Sequence, residues 1–160
     1  MKISTLFFAL LLASFSVFAD SKNTTDIKES PALIKKESPY SVNDTMDKFE
    51  AIIKKKGFTI FARIDHQKNA ESIELDLDPA QVIIFGNPKG GTLLMKTDIA
   101  IALDLPLRVA VYKAQDGKVY MSYHTPETMS QPYQLKDHKV INKITKGLDK
   151  LTSASIAKED

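Results

Sequence analysis

The chain has 160 residues, with 22 Lys and Arg against 20 Asp and Glu, and it contains no Cys and no Trp. That length suits one ordinary domain with a sizeable core, and the near-neutral balance excludes the strongly basic surface of a typical nucleic-acid binder, since Arg63 and Arg108 are the only arginines. Without Cys there can be neither disulfides nor zinc–thiolate ligands, so packing has to supply the stability.

Residues 1–19 read as a cleavable secretory signal. Lys2 forms the basic start, an apolar run fills residues 6–18, and Val17-Phe18-Ala19 is a small-residue cleavage site. The run, interrupted by Ser14 and Ser16, falls short of the ~20 apolar residues of a spanning helix. No Cys follows it to accept a lipid, so a periplasmic or secreted, soluble product cleaved near Ala19 is predicted. Residues 20–37, polar and of mixed charge, predict a flexible leader.

The domain then opens with a short extended segment at 38–41. Ser41, followed three residues later by Asp44, is a capping-box pattern, and Met46, Phe49, Ile52 and Ile53 fall on one face before Gly57, so a helix is predicted over 41–56. Residues 58–64 are β-branched and aromatic and predict a strand that delivers Asp65 and His66 to its end. A short helix over 67–73 and a central strand over 81–85 follow, the latter stopped by Gly86-Asn87-Pro88. A third helix is predicted over 91–102. Alternating residues at 107–112 and 119–124, joined through Gln115-Asp116-Gly117, predict a β-hairpin. After a loop with Pro126 and Pro132, an amphipathic helix is expected over 135–151, and 152–160 reads as a frayed tail.

Several strings stand in a specific order: Lys56-Gly57-Phe58, Phe61-Ala62-Arg63-Ile64-Asp65-His66, Ile84-Phe85-Gly86-Asn87-Pro88, Gly91-Thr92-Leu93-Leu94-Met95, Asp104-Leu105-Pro106-Leu107-Arg108, and Gly117-Lys118-Val119 through Tyr123-His124-Thr125-Pro126. In these the chain closely resembles the "domain of unknown function 302" family of bacteria and archaea over 38–151. The resemblance implies an α+β fold, an antiparallel sheet with helices packed mainly on one face, similar to a TATA-binding-protein-like arrangement, and a homodimer. It implies no reaction. Leu93 stands where members often carry Pro.

Asp65 and His66 pair a carboxylate with an imidazole at a strand end, a combination that can serve as acid and base, with Tyr123 or His124 of the hairpin as further candidates. Neighbours on a strand point to opposite faces, which argues against a shared site, and capping or loop anchoring is the competing role of His66. The histidines at 66, 124 and 138 lack metal-motif spacing, so no metal and no cofactor are predicted. Residues 86–92 are glycine-rich, but Gly91 is followed by Thr92 and Leu93 rather than Lys and Ser or Thr, so the phosphate-loop pattern fails. Lys136, Lys139, Lys143, Lys146 and Lys150 form a stripe on the last helix, suited to a solvated face or to peripheral contact with anionic headgroups. The expected role is a non-catalytic module for a small apolar or amphipathic ligand or a protein partner. The alternatives are an enzyme using Asp65 and His66 and a peripheral envelope protein using the lysine stripe.

Overall fold

The computed structural model describes residues 33–135 and 137–158. The proposed signal and the first part of the leader lie outside these residues, as does Lys136 of the lysine stripe. Five strands form one antiparallel sheet in the order β1-β5-β4-β3-β2, so the fold is α+β. They are β1 (Leu33–Ser38), β2 (Thr59–Asp65), β3 (Ala80–Gly86), β4 (Leu107–Lys113) and β5 (Val119–His124). The helices are α1 (Val42–Lys55), α2 (His66–Glu71), α3 (Pro88–Thr97), α4 (Pro126–Ser130) and α5 (Lys139–Ile156), with a 3-10 turn at Ile99–Leu103.

Register decides which side chains meet, because residues paired across strands share a face. Ile83 pairs with Arg63 and Val109, Phe85 with Ile60 and Leu107, and Val111 with Met121. These positions look toward α1 and α5, whose Met46, Phe49, Ile53 and Leu148 complete the main core. Phe85 sits at its centre, its ring edge-on to Phe49 at 5.4 Å and to Phe58 at 5.6 Å. Such edge-to-face pairs add about 1 kcal/mol to what area burial supplies. A smaller cluster of Leu94, Ile101, Leu135 and Ile141 ties α3 and the 3-10 turn to α5.

Helix α1 forms as its sequence predicts. The Ser41 hydroxyl accepts from the Asp44 amide at 3.1 Å, and the chain leaves through Gly57 at φ +76°, a conformation that costs side-chain-bearing residues energy. Several boundaries differ from expectation. Residues expected in the leader form β1, because pairing with the whole length of β5 satisfies its backbone and buries Ser38. The helix expected over 91–102 begins at Pro88, where Asn87 accepts from the amides of Lys89 and Gly90. It ends at Thr97, because extended Asp98 interrupts it and caps a separate 3-10 turn. Residues 126–130, expected as loop, are a short helix capped by Thr125 with Pro126 at its start. The last helix starts later than expected, where His138 Nδ1 accepts from the Val140 amide. It runs on through the supposed tail, with Thr152 and Ser155 buried.

Candidate functional site

An open cleft of ≈ 460 Å³ lies where the end of β2 and the start of β3 meet α1 and α2, walled by Asn43, Arg63, Asp65, Gln67, Lys68, Glu71 and Gln81. Its hub is Gln81, which is only 5% exposed. Gln81 Oε1 accepts from Arg63 Nε at 2.9 Å and Nη2 at 2.7 Å, while Gln81 Nε2 donates to Asn43 Oδ1 and, at 3.4 Å, to Asp65 Oδ2. The other end of the guanidinium donates through Nη1 to Asp47 and, at 3.0 Å, to Glu50. Burial alone would pull the Arg63 pKa down, but its hydrogen bonds to Asp47 and Glu50 outweigh it and the net shift is upward. Glu50 is held below the usual carboxylate range, first by its hydrogen bond from Lys54 and then by Arg63.

This network has the form of a structural brace. The amide, the guanidinium and the carboxylates satisfy one another, and among the described residues no buried side-chain polar atom lacks a partner. Asp65, the candidate carboxylate, lines the cleft, yet its Oδ1 accepts from the Lys68 amide and thereby caps α2. His66 is the exposed first residue of α2 and is not among the cleft walls. Tyr123 and His124 lie on β5, separated from β2 by β4 and β3. Tyr123 is buried in the core, and exposed His124 pairs with Leu33 of β1. The residues expected to cooperate as acid and base are thus dispersed, because strand order brings β4, not β5, next to β3. Among the described residues no three His, Asp or Glu gather to hold a metal ion. The glycine-rich segment also has its amides engaged, since Asn87 Oδ1 already takes those of Lys89 and Gly90.

A second surface is the sheet face turned away from α1 and α5. Register places Ala62, Ile64, Val82, Ile84, Ala110, Tyr112 and Tyr120 on it, all of them only partly covered. Between Ile60 and Ala62 the pairing slips by one residue. The bulge leaves Phe61 55% exposed, with its ring 3.6 Å from where a Cβ on Gly86 would stand, an ordinary van der Waals separation. At the β1 side the Lys35 ammonium sits 3.5 Å above the Tyr120 ring. The Tyr120 hydroxyl donates to Asp116 Oδ2 at 2.7 Å, and this bond raises the tyrosine pKa. Tyr112 lies 6.2 Å from Tyr120 and accepts from the Ser122 hydroxyl.

Sequence reasoning missed Gln81, Arg63 and Asn43 as a unit. The available signal was a Gln and an Arg placed inside otherwise apolar strands, positions where an unpaired polar group would be costly.

A family model described as "Domain of unknown function DUF302" matches residues 34–151. Among curated proteins, "Fluoride-specific ion channel FluC 1" of Brucella suis biovar 1 (strain 1330) is 38% identical over 103 residues, which are 64% of this chain and 41% of that protein. "Fluoride-specific ion channel FluC 2" of Brucella melitensis biotype 1 is likewise 38% identical over 103 residues, covering 38% of its own length. The chain therefore spans about two fifths of the curated relatives it matches. Among the described residues no helix is long and apolar enough to cross a membrane. A crystal structure of an uncharacterized conserved DUF302 protein from Bacillus stearothermophilus superposes with a TM-score of 0.64 at 16% identity, covering 79% of this chain and 97% of that one. At that identity the likeness shows the fold.

Proposed function

The chain belongs to the DUF302 family, and from that premise we propose that it is a non-catalytic binding module of the cell envelope, exported by residues 1–19. Its sheet face turned away from α1 and α5 takes a small apolar or amphipathic ligand or a partner protein, a second copy of the chain included. The observation carrying this reading is the distribution of the sheet's side chains. One face is sealed by α1 and α5, while the other offers partly covered aliphatic and aromatic groups, with Lys35 and Arg108 at its margin. A face of that composition fits an apolar body with a polar or anionic end. The polar cleft supports the non-catalytic part, because Asp65 and Arg63 are already engaged in capping and bracing. A place beside a membrane is supported by the Brucella relatives, in which the matching stretch is a minor part of a protein named as an ion channel.

The test is thermal unfolding of the exported chain with and without dodecanoate, followed by native mass spectrometry and sedimentation velocity. A rise of several degrees in Tm with one added mass, lost in Ile84→Asp, is expected for a ligand site. A concentration-dependent dimer abolished by the same substitution is expected for self-association. A flat Tm, no added mass and a strict monomer would together overturn the sheet-face reading.

A further inference from the structure

We propose that the outer face of α5 is a docking surface for the anionic headgroups of a phospholipid bilayer. Lys139, Lys143, Lys146 and Lys150 follow one another at steps of four, three and four residues, which puts them on one side of the helix over about 16 Å. All four are exposed. With Asn142 and Gly147 they line a single shallow groove whose walls are mainly the apolar stems of the lysines. Among the described residues no ion pair engages any of the four. The acidic residue of α5, Asp149, is occupied by Lys36 at 2.7 Å. The stripe therefore presents four ammonium groups along a straight line, none of them ion-paired among the described residues.

The mode of contact follows from the rest of the helix. Ile141, Ile144, Leu148 and Leu151 face inward and pack into the two cores, so α5 has no apolar face left to insert. The ammonium groups therefore make the contact, and attachment is electrostatic, at headgroup level and reversible by salt. A plane of lipid phosphates matches a linear row of flexible lysines. A nucleic acid would call for arginine or aromatic groups on this face, and neither is there. The surface lies on the outer side of the helix layer, opposite the free sheet face, so a domain resting on α5 turns that sheet face away from the bilayer. The two surfaces are independent, and each reading stands without the other.

Co-sedimentation of the exported chain with vesicles tests the idea directly. Vesicles of phosphatidylcholine with about a third phosphatidylglycerol are expected to bind at least tenfold more tightly than phosphatidylcholine alone at low salt, an advantage erased near ~0.5 M NaCl. Lys143→Glu with Lys146→Glu should abolish it, whereas Lys55→Glu with Lys56→Glu, the same charge change at the C-terminal end of α1, should lose far less. Circular dichroism checks the fold, and Lys139→Gln with Lys150→Gln serves if the reversal variant does not fold. Equal binding to both vesicle types, an unchanged affinity in the α5 variants, or a preference for a single-stranded oligonucleotide over the vesicles would each overturn the proposal. None of these outcomes bears on dodecanoate binding at the sheet face.

Discussion

The ammonium of Lys36 donates to Asp149 Oδ1 at 2.7 Å and to the Asp149 carbonyl at 3.0 Å, so the first strand is pinned to the last helix. The same nitrogen reaches Thr152 Oγ1 and Ser153 Oγ, each at 2.9 Å. Three residues from little more than one helical turn meet on one side chain from a segment that composition alone assigns to a leader. Lys36→Met should therefore lower stability by about 1–2 kcal/mol, since charge-assisted bonds to partly covered groups are lost. Removing residues 152–160 should cost more, because Thr152 and Ser155 are buried and Ser155 contacts Met121. Urea midpoints measure both, and an unchanged midpoint in the truncation would contradict the packing of the helix end.

Gln81 should behave as the keystone of the polar brace. Gln81→Leu leaves Arg63 without the acceptor of two of its bonds and Asn43 without its donor. A loss of about 2 kcal/mol is expected, close to the cost of orphaning buried polar groups. A substitution that proved neutral in denaturant melts would show that water replaces the amide at no cost.

In the main core, Phe85→Ala removes the ring that touches both Phe49 and Phe58. Its expected cost is about 3–5 kcal/mol, the range for emptying a large buried aromatic site. Gly57→Ala, at φ +76°, should cost about 1 kcal/mol. Comparing the two variants by calorimetry separates packing from backbone strain.

Acid stability should carry the signature of Glu50. Its folded pKa is lowered by Lys54 and Arg63, so its contribution is complete above the unfolded value and disappears as pH falls through the depressed folded one. Stability should hold from neutral pH down to the ordinary carboxylate range and decline below it. Glu50→Gln should flatten that decline at a neutral-pH cost of about 0.5–1 kcal/mol, a modest figure because the group is partly solvated. A decline equally steep in the variant would assign it to other carboxylates.

On the free sheet face, Tyr120 should ionise at higher pH than an ordinary tyrosine, because its hydroxyl donates to Asp116. Ultraviolet titration of Asp116→Asn should move one tyrosine downward toward the ordinary range. No difference between the variant and the parent would mean that the bond is not maintained in solution.

Local patterns were legible wherever the physics is local. The Ser41 cap, the apolar face of Met46, Phe49 and Ile53, the Gly57 stop and the hairpin at Asp116-Gly117 all appear where periodicity and turn chemistry put them. The ordered motif series likewise led to the family and to the α+β fold. Elements held by distant partners were not legible. β1 exists because β5 completes its hydrogen bonds, and the end of α5 persists because Lys36 and Met121 lie against it. The site divides the same way. Residue chemistry drew attention to Asp65 and His66, and to the lysine spacing on the last helix, whereas the Gln81 brace and the separation of β5 from β2 depend on strand order. The sequence by itself determined the helix faces, the turns and the family. Only the tertiary structure decided which polar groups neutralise one another and which sheet face stays open, because those outcomes depend on register and on contacts between residues far apart in the chain.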